Sequence, residues 1–237
     1  YGTGAFMLAC TGDRPTRSAN GLVGCPAWRI GTAPTTYCLD GQVYTVGAAV
    51  TWLMEMGIMS EPAELDRLGG AVDGPAGVTF VPALAGLAAP YWKPQAKAAF
   101  SGLTLGTERG HLVRAAIEGI AAQVTLLAQA AGRDLGAPLT RLRVDGGLTR
   151  SAVLMQAVAD ITQVPVRVFA SPHATALGAA ALGRFARPPG LHIAAAAPHV
   201  PGRPGYPPLR PARLATHSRR RLRAPSARHP ATPAHHP

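Results

Sequence analysis

Residues 140–169, TRLRVDGGLTRSAVLMQAVADITQVPVRVF, decide the fold. The alternation around Leu142-Arg143-Val144 predicts a strand over 140–145 that runs into Asp145-Gly146-Gly147. From Ser151 to about Thr162 the period changes to that of a helix, with Val153, Leu154, Ala157, Val158 and Ile161 on its inner face. Residues 164–169, Val-Pro-Val-Arg-Val-Phe, read as the next strand. A strand, a diglycine turn, a helix and a second strand make a parallel α/β unit, because parallel neighbours need a crossover between them.

The flanks extend the pattern. Before the unit lies the strongest helix of the chain, predicted over 108–131 from the stripe Leu112, Ala115, Ala116, Gly119, Ile120, Val124, Leu127 and Ala131, with Gly132 as its stop. After it, 174–186 is predicted as a helix of small residues. At the start, residues 1–10, 22–25 and 35–39 read as strands of an antiparallel meander. Residues 46–57 and 61–68 read as helices, 77–84 as a strand closed by Pro82, and 85–98 as loop. An antiparallel opening followed by helix, strand, helix, strand, helix is α/β.

Composition narrows the class. Of 237 residues, 47% are apolar, so a core is available, and 5% are aromatic. The net charge of +11 is uneven: residues 187–237 hold 9 Arg, 12 Pro, 6 His and no acid, which leaves a near-neutral body. Without periodicity, that stretch is expected to be a disordered basic tail beyond a 1–186 domain. Its Arg/Pro/Ala/His mixture is also what a shifted reading frame in a GC-rich coding sequence yields. Lacking interleaved aromatics, the tail is not expected to bind nucleic acid specifically. No run of about 18 apolar residues occurs, so no membrane partner is expected. Cys10, Cys25 and Cys38 show no CxxC and no metal spacing. They read as reduced, core-packed thiols of a cytoplasmic protein.

Three glycine sites stand at turns: Gly2-Thr3-Gly4, Gly47 and Gly146-Gly147. Glycine there lets a ligand approach the backbone and leaves N–H groups free for an anion. No GxxxxGK[ST] and no GxGxxG after a strand is present, so a nucleotide would be held in another way.

Six segments in order carry a family resemblance. Tyr1-Gly-Thr-Gly-Ala-Phe-Met-Leu, Gly47-Ala-Ala-Val-Thr-Trp-Leu and Leu84-Ala-Gly-Leu-Ala-Ala-Pro-Tyr-Trp form the first half. Ala98-Ala-Phe-Ser-Gly-Leu with His111-Leu-Val-Arg-Ala-Ala-Ile-Glu118, Val144-Asp-Gly-Gly with Leu154-Met-Gln, and Thr175-Ala-Leu-Gly-Ala-Ala form the second. Together they resemble the C-terminal domain of the FGGY carbohydrate kinases, and within that family most resemble the glycerol kinases. The resemblance implies an actin-like ATPase, ribonuclease-H-like fold and phosphoryl transfer from ATP, with Mg²⁺, to glycerol. It implies that Thr3 meets the nucleotide phosphates, that Gly47 and Thr51 lie near the adenosine, that Gly147 lines the nucleotide and that Ser151 faces the base. Phe6 would pack on the carbon side of glycerol. The family's general-base Asp would precede Tyr1, so no catalytic residue and no metal ligand is expected in this piece of a longer protein. Such piece-wise incompleteness implies no activity for the chain alone, although full-length members often form homo-oligomers. Three positions depart from the family pattern: Thr51 stands for Gln, Lys93 for Asp and Ser151 for Asn. Two other readings stay open at this point, a pentulose-type kinase of the same family and a non-catalytic remnant.

Overall fold

The computed structural model describes residues 1–171, 173–185 and 205–210. Strands β1 (Ala5–Gly12), β2 (Val23–Trp28) and β3 (Thr36–Val43) open the chain. Helices α1 (Gly47–Glu55) and α2 (Glu64–Gly70) follow, then short strands β4 (Thr79–Val81) and β5 (Ala99–Ser101). The long helix α3 (Arg109–Asp134) leads into β6 (Leu142–Val144), α4 (Ala152–Thr162), β7 (Val166–Val168) and α5 (Ala174–Phe185).

The opening strands are antiparallel, but their order is β1-β3-β2, so β3 and not β2 is central. The cause is the β1–β2 connection. Asp134, at the end of α3, accepts from Ser18 Oγ at 2.5 Å, Asn20 Nδ2 at 2.6 Å and the Ala19 amide at 3.0 Å. That clamp ties the β1–β2 connection to the end of α3 before β2 begins. Partial burial opposes ionisation of Asp134, but the bonds from Ser18, Asn20 and Ala19 outweigh it and lower its pKa. A carboxyl held below its unfolded value stabilises the fold above about pH 3.9 and loses that contribution as pH falls through the lowered value. Melting the protein and Asp134→Ala at pH 6 and at pH 2.5 should show a gap between them that is smaller in acid. A gap of equal size at both values would mean that the carboxylate is not the clamp.

The parallel unit read from 140–169 is present: β6 pairs β7 in parallel, Leu142 opposite Val166 and Val144 opposite Val168. Helix α3 packs against α2, α4, β1, β3 and β4. Its Val113, Ile117, Ile120 and Leu127 are fully or almost fully buried, each contributing about 2 kcal/mol of apolar burial. Gly132 does not stop it. The helix runs on to Asp134, and Gly136 at φ 72° follows, the left-handed turn that glycine provides without strain. By length and composition α3 could cross a membrane, but 83% of its most apolar window is buried in this fold. Trp52 stacks with Phe80 and Phe100, whose centroids lie 4.4 Å apart, and joins α1 to the β4–β5 pair.

Six residues of the segment expected to be structureless, 205–210, lie against the body. Tyr206 bridges Val166 by two backbone bonds of 2.8 and 2.9 Å, antiparallel to the open edge of β7. The rest of the expected tail lies outside the described residues.

Candidate functional site

The glycine sites meet around the turn at Tyr1–Gly4. On one side the Gly47 amide donates to Gly2 O at 3.0 Å, and the amides of Val46 and Ala48 donate to Thr3 O at 2.9 and 3.0 Å. A Cβ on Gly47 would sit 2.5 Å from Gly2 O, so only glycine lets the start of α1 approach this turn. On the other side the Tyr1 amino group donates to Asp145 O at 2.8 Å. Gly146 has φ 100° and ψ 172°, and a Cβ on it would meet Tyr1 O at 2.2 Å. The Tyr1 ring packs on the core, and burial pushes its hydroxyl pKa up. The turn is thus held from both flanks while Thr3 itself is exposed.

Gly147 differs from its neighbour. It is exposed, begins the short 3-10 turn Gly147–Arg150, and nothing lies within 4 Å of the place where a Cβ would go. Thr51 lies exposed on α1, one turn after Gly47. A pocket of about 330 Å³ opens beside Asp145 at the carboxyl ends of β6 and β7, roofed by Leu177 and Ala181 of α5. That is where ligands sit in open α/β sheets. The lining of this pocket includes none of Thr3, Gly47, Thr51 and Gly147.

Ser151 is engaged within the chain. It is buried as the N-cap of α4: its hydroxyl accepts from the Leu154 amide at 3.1 Å and donates to Asp66 Oδ1 at 2.5 Å. Asp66, from α2, also accepts from the amides of Ala152 and Val153 at 3.0 and 3.2 Å. The positive end of α4 is thereby satisfied by a carboxylate of the chain itself. Sequence reading missed Asp66, since a partner 85 residues away leaves no local signal.

Phe6 projects from β1 with 70% of its surface exposed, on the same sheet face as the exposed Leu8. Between β1 and β6 lies a cleft of about 750 Å³, lined by Met7, Leu127, Leu139, Arg141 and Arg143 among others. Trp92 donates its indole N–H to Gly21 O at 2.7 Å and anchors the 84–93 loop. His111 accepts the Glu108 amide at 3.0 Å, a capping role. The cysteines are not all core-packed: Cys10 is exposed, and Cys25 and Cys38 hold their sulfurs 3.5 Å apart.

A turn pinned between two glycine sites, beside the carboxyl end of β6 in a parallel β-α-β unit, belongs to the actin-like ATPase fold. The sequence matches the FGGY family of carbohydrate kinases, C-terminal domain, over residues 1–187, and the chain belongs to that family. It is 47% identical over 193 residues to a glycerol kinase of Alkalilimnicola ehrlichii, covering 81% of this chain and 38% of that protein. With a glycerol kinase of Myxococcus xanthus it shares 43% over 185 residues, covering 77% and 37%. Among solved structures, Plasmodium falciparum glycerol kinase with ADP superposes with a TM-score of 0.82 at 30% identity, covering 92% of this chain and 44% of that one. A xylulose-type kinase of Brucella ovis gives 0.80 at 25% identity, covering 94% and 45%. The chain therefore spans well under half the length of the relatives it matches.

Proposed function

We propose that the chain is the C-terminal, nucleotide-side part of a cytoplasmic, ATP-dependent glycerol kinase. The observation that carries this is the Tyr1–Gly4 turn, held by Gly47 on one flank and by Asp145-Gly146 on the other, in a chain whose relatives at 43–47% identity are glycerol kinases. The xylulose-type neighbour lies further off in sequence, at 25%. In this reading the Thr3 hydroxyl and nearby amides meet phosphate, Gly147 leaves room for the nucleotide, and Thr51 borders the adenosine. Ser151 supports the site from beneath through the Asp66 cap. Phe6 offers the carbon side of glycerol an apolar surface.

The residues fit a nucleotide where a Cβ at Gly147 would enter open space. Mg²⁺ commonly rides on substrate phosphates with few protein ligands, so in this reading it arrives with the nucleotide. When bound, the ion neutralises charge on the transferring phosphoryl group.

Phosphoryl transfer needs both walls of a cleft and a group to take the hydroxyl proton. This chain is expected to bind Mg·ATP with a Kd on the order of millimolar and to show no glycerol-dependent ADP release. Joined to the remaining part of a glycerol kinase, it should gain turnover. Calorimetric titration with Mg·ATP tests the site: Gly147→Trp should abolish the heat, and Thr3→Ala should weaken ATP more than ADP. Binding that survives Gly147→Trp unchanged would place the nucleotide elsewhere.

A further inference from the structure

The central position of β3 puts three thiols in one row across the sheet. Cys38 of β3 stands directly opposite Cys10 of β1 and directly opposite Cys25 of β2. Side chains of directly paired residues leave the sheet on the same face, so the three sulfurs share the face that also carries Phe6 and Leu8. The two pairs are not equivalent. Cys25 and Cys38 have their sulfurs in contact at 3.5 Å, whereas Cys10 is exposed. Directly opposed residues of antiparallel strands have Cα atoms about 4.5–5.5 Å apart, inside the range of about 4.4–6.8 Å that a disulfide spans. Closing the last gap, to an S–S length of about 2 Å, requires a small rotation of each side chain and no shift of register.

We propose that Cys25 and Cys38 form a reversible cross-strand disulfide when the protein meets a hydroperoxide, with Cys10 remaining a thiol. In the first step the half-buried Cys25 sulfur attacks a peroxide oxygen. The O–O bond breaks, Cys25 becomes a sulfenic acid, and the leaving oxygen departs as water or alcohol with the thiol proton. In the second, the Cys38 sulfur attacks the Cys25 sulfur. The S–O bond breaks, and hydroxide leaves as water with the Cys38 proton. Two thiols are oxidised by two electrons and one peroxide is reduced.

The sulfur contact selects the pair, and the deeper burial of Cys38 sets the order within it. Cys38 is buried; burial, helped by the neighbouring Cys25, pushes its thiol up to about 11. It stays protonated near neutrality and reacts only through the neighbour that touches it. Because β2 is the edge strand and β3 the centre, the bond would tie the edge to the sheet.

The three cysteines fall on three different tryptic peptides, residues 1–17, 18–29 and 30–67. The full chain is treated with a small excess of hydrogen peroxide, alkylated and digested without reductant. The expected result is a mass loss of about 2 Da, a cross-linked peptide joining 18–29 to 30–67, alkylated Cys10, and full reversal by dithiothreitol. Cys10→Ser should leave the cross-link intact, and Cys25→Ser should remove it. A cross-link joining 1–17 to 30–67, or oxidation of Cys10 with Cys25 and Cys38 both still alkylated after denaturation, would overturn the proposal. Mapping the unmodified sequence decides between these results even if a variant fails to fold.

Discussion

Replacing Gly146 with valine is expected to cost about 3 kcal/mol of stability, a fall of about 10 °C in Tm for a chain of this size. Two causes add. At φ 100° and ψ 172° the backbone is in a region that side chains essentially never occupy. The new Cβ would also lie 2.2 Å from the backbone oxygen of Tyr1, which cannot rotate away as a side chain would. The Tyr1–Gly4 turn would be displaced, and with it the bonds that α1 makes to Gly2 and Thr3. Gly147→Trp, one residue on, should melt within about 2 °C of the parent, because its side chain enters open space. A thermal melt of the two variants side by side checks the contrast. Equal melting temperatures would mean that Gly146 is not pinned against Tyr1.

Removing residues 186–237 is expected to lower stability by about 2 kcal/mol, through the few residues at 205–210. Asp160 on α4 is 5% exposed, and its Oδ1 accepts from the Leu209 amide at 2.7 Å, the Arg210 amide at 3.2 Å and Gln156 Nε2 at 2.9 Å. Without the segment, Gln156 alone remains of these three partners, and a buried carboxylate short of donors is costly. Gln156 Nε2 also loses Pro207 O, and Gln163 Nε2 loses Arg210 O. Asp160→Ala should cost a similar amount in the full chain, since it strands the two amides. In the truncated chain the same substitution should cost little. Denaturant unfolding of the four proteins forms a double-mutant cycle. Strict additivity would show that Asp160 does not hold the segment.

The parallel unit was legible because each part is written locally. Strand alternation, a diglycine and a helical stripe follow one another over 140–169, and the fold keeps them within two residues or so at each end. The helix α3 was legible for the same reason. Strand β5 was not read because, unlike β4, β6 and β7, its Ala99-Phe100-Ser101 is not set in a longer apolar or alternating run and Gly102 cuts it off. The place of β3 between β1 and β2 depends on a clamp from Asp134, more than 110 residues from its partners. The site was half legible. Glycines at turns pointed to Gly2-Thr3-Gly4 and Gly47, which do meet, with the Gly47 amide on Gly2 O. Ser151 could not be placed from sequence because its hydroxyl answers to Asp66, and no periodicity links α2 to the start of α4. The thiol contact was hidden likewise, since strand register decides it and sequence spacing does not.

Helix α3 touches β1, β3, β4, α2 and α4. Loss of any single layer therefore leaves its middle amides covered by the others, whereas the largely exposed α5 can loosen alone. In deuterated solvent the backbone amides of residues 115–127 should be the last to exchange, at a rate set by unfolding of the entire domain. The protection of that one helix then reads out global stability directly, and any ligand that binds the folded domain should slow its exchange in proportion to its affinity.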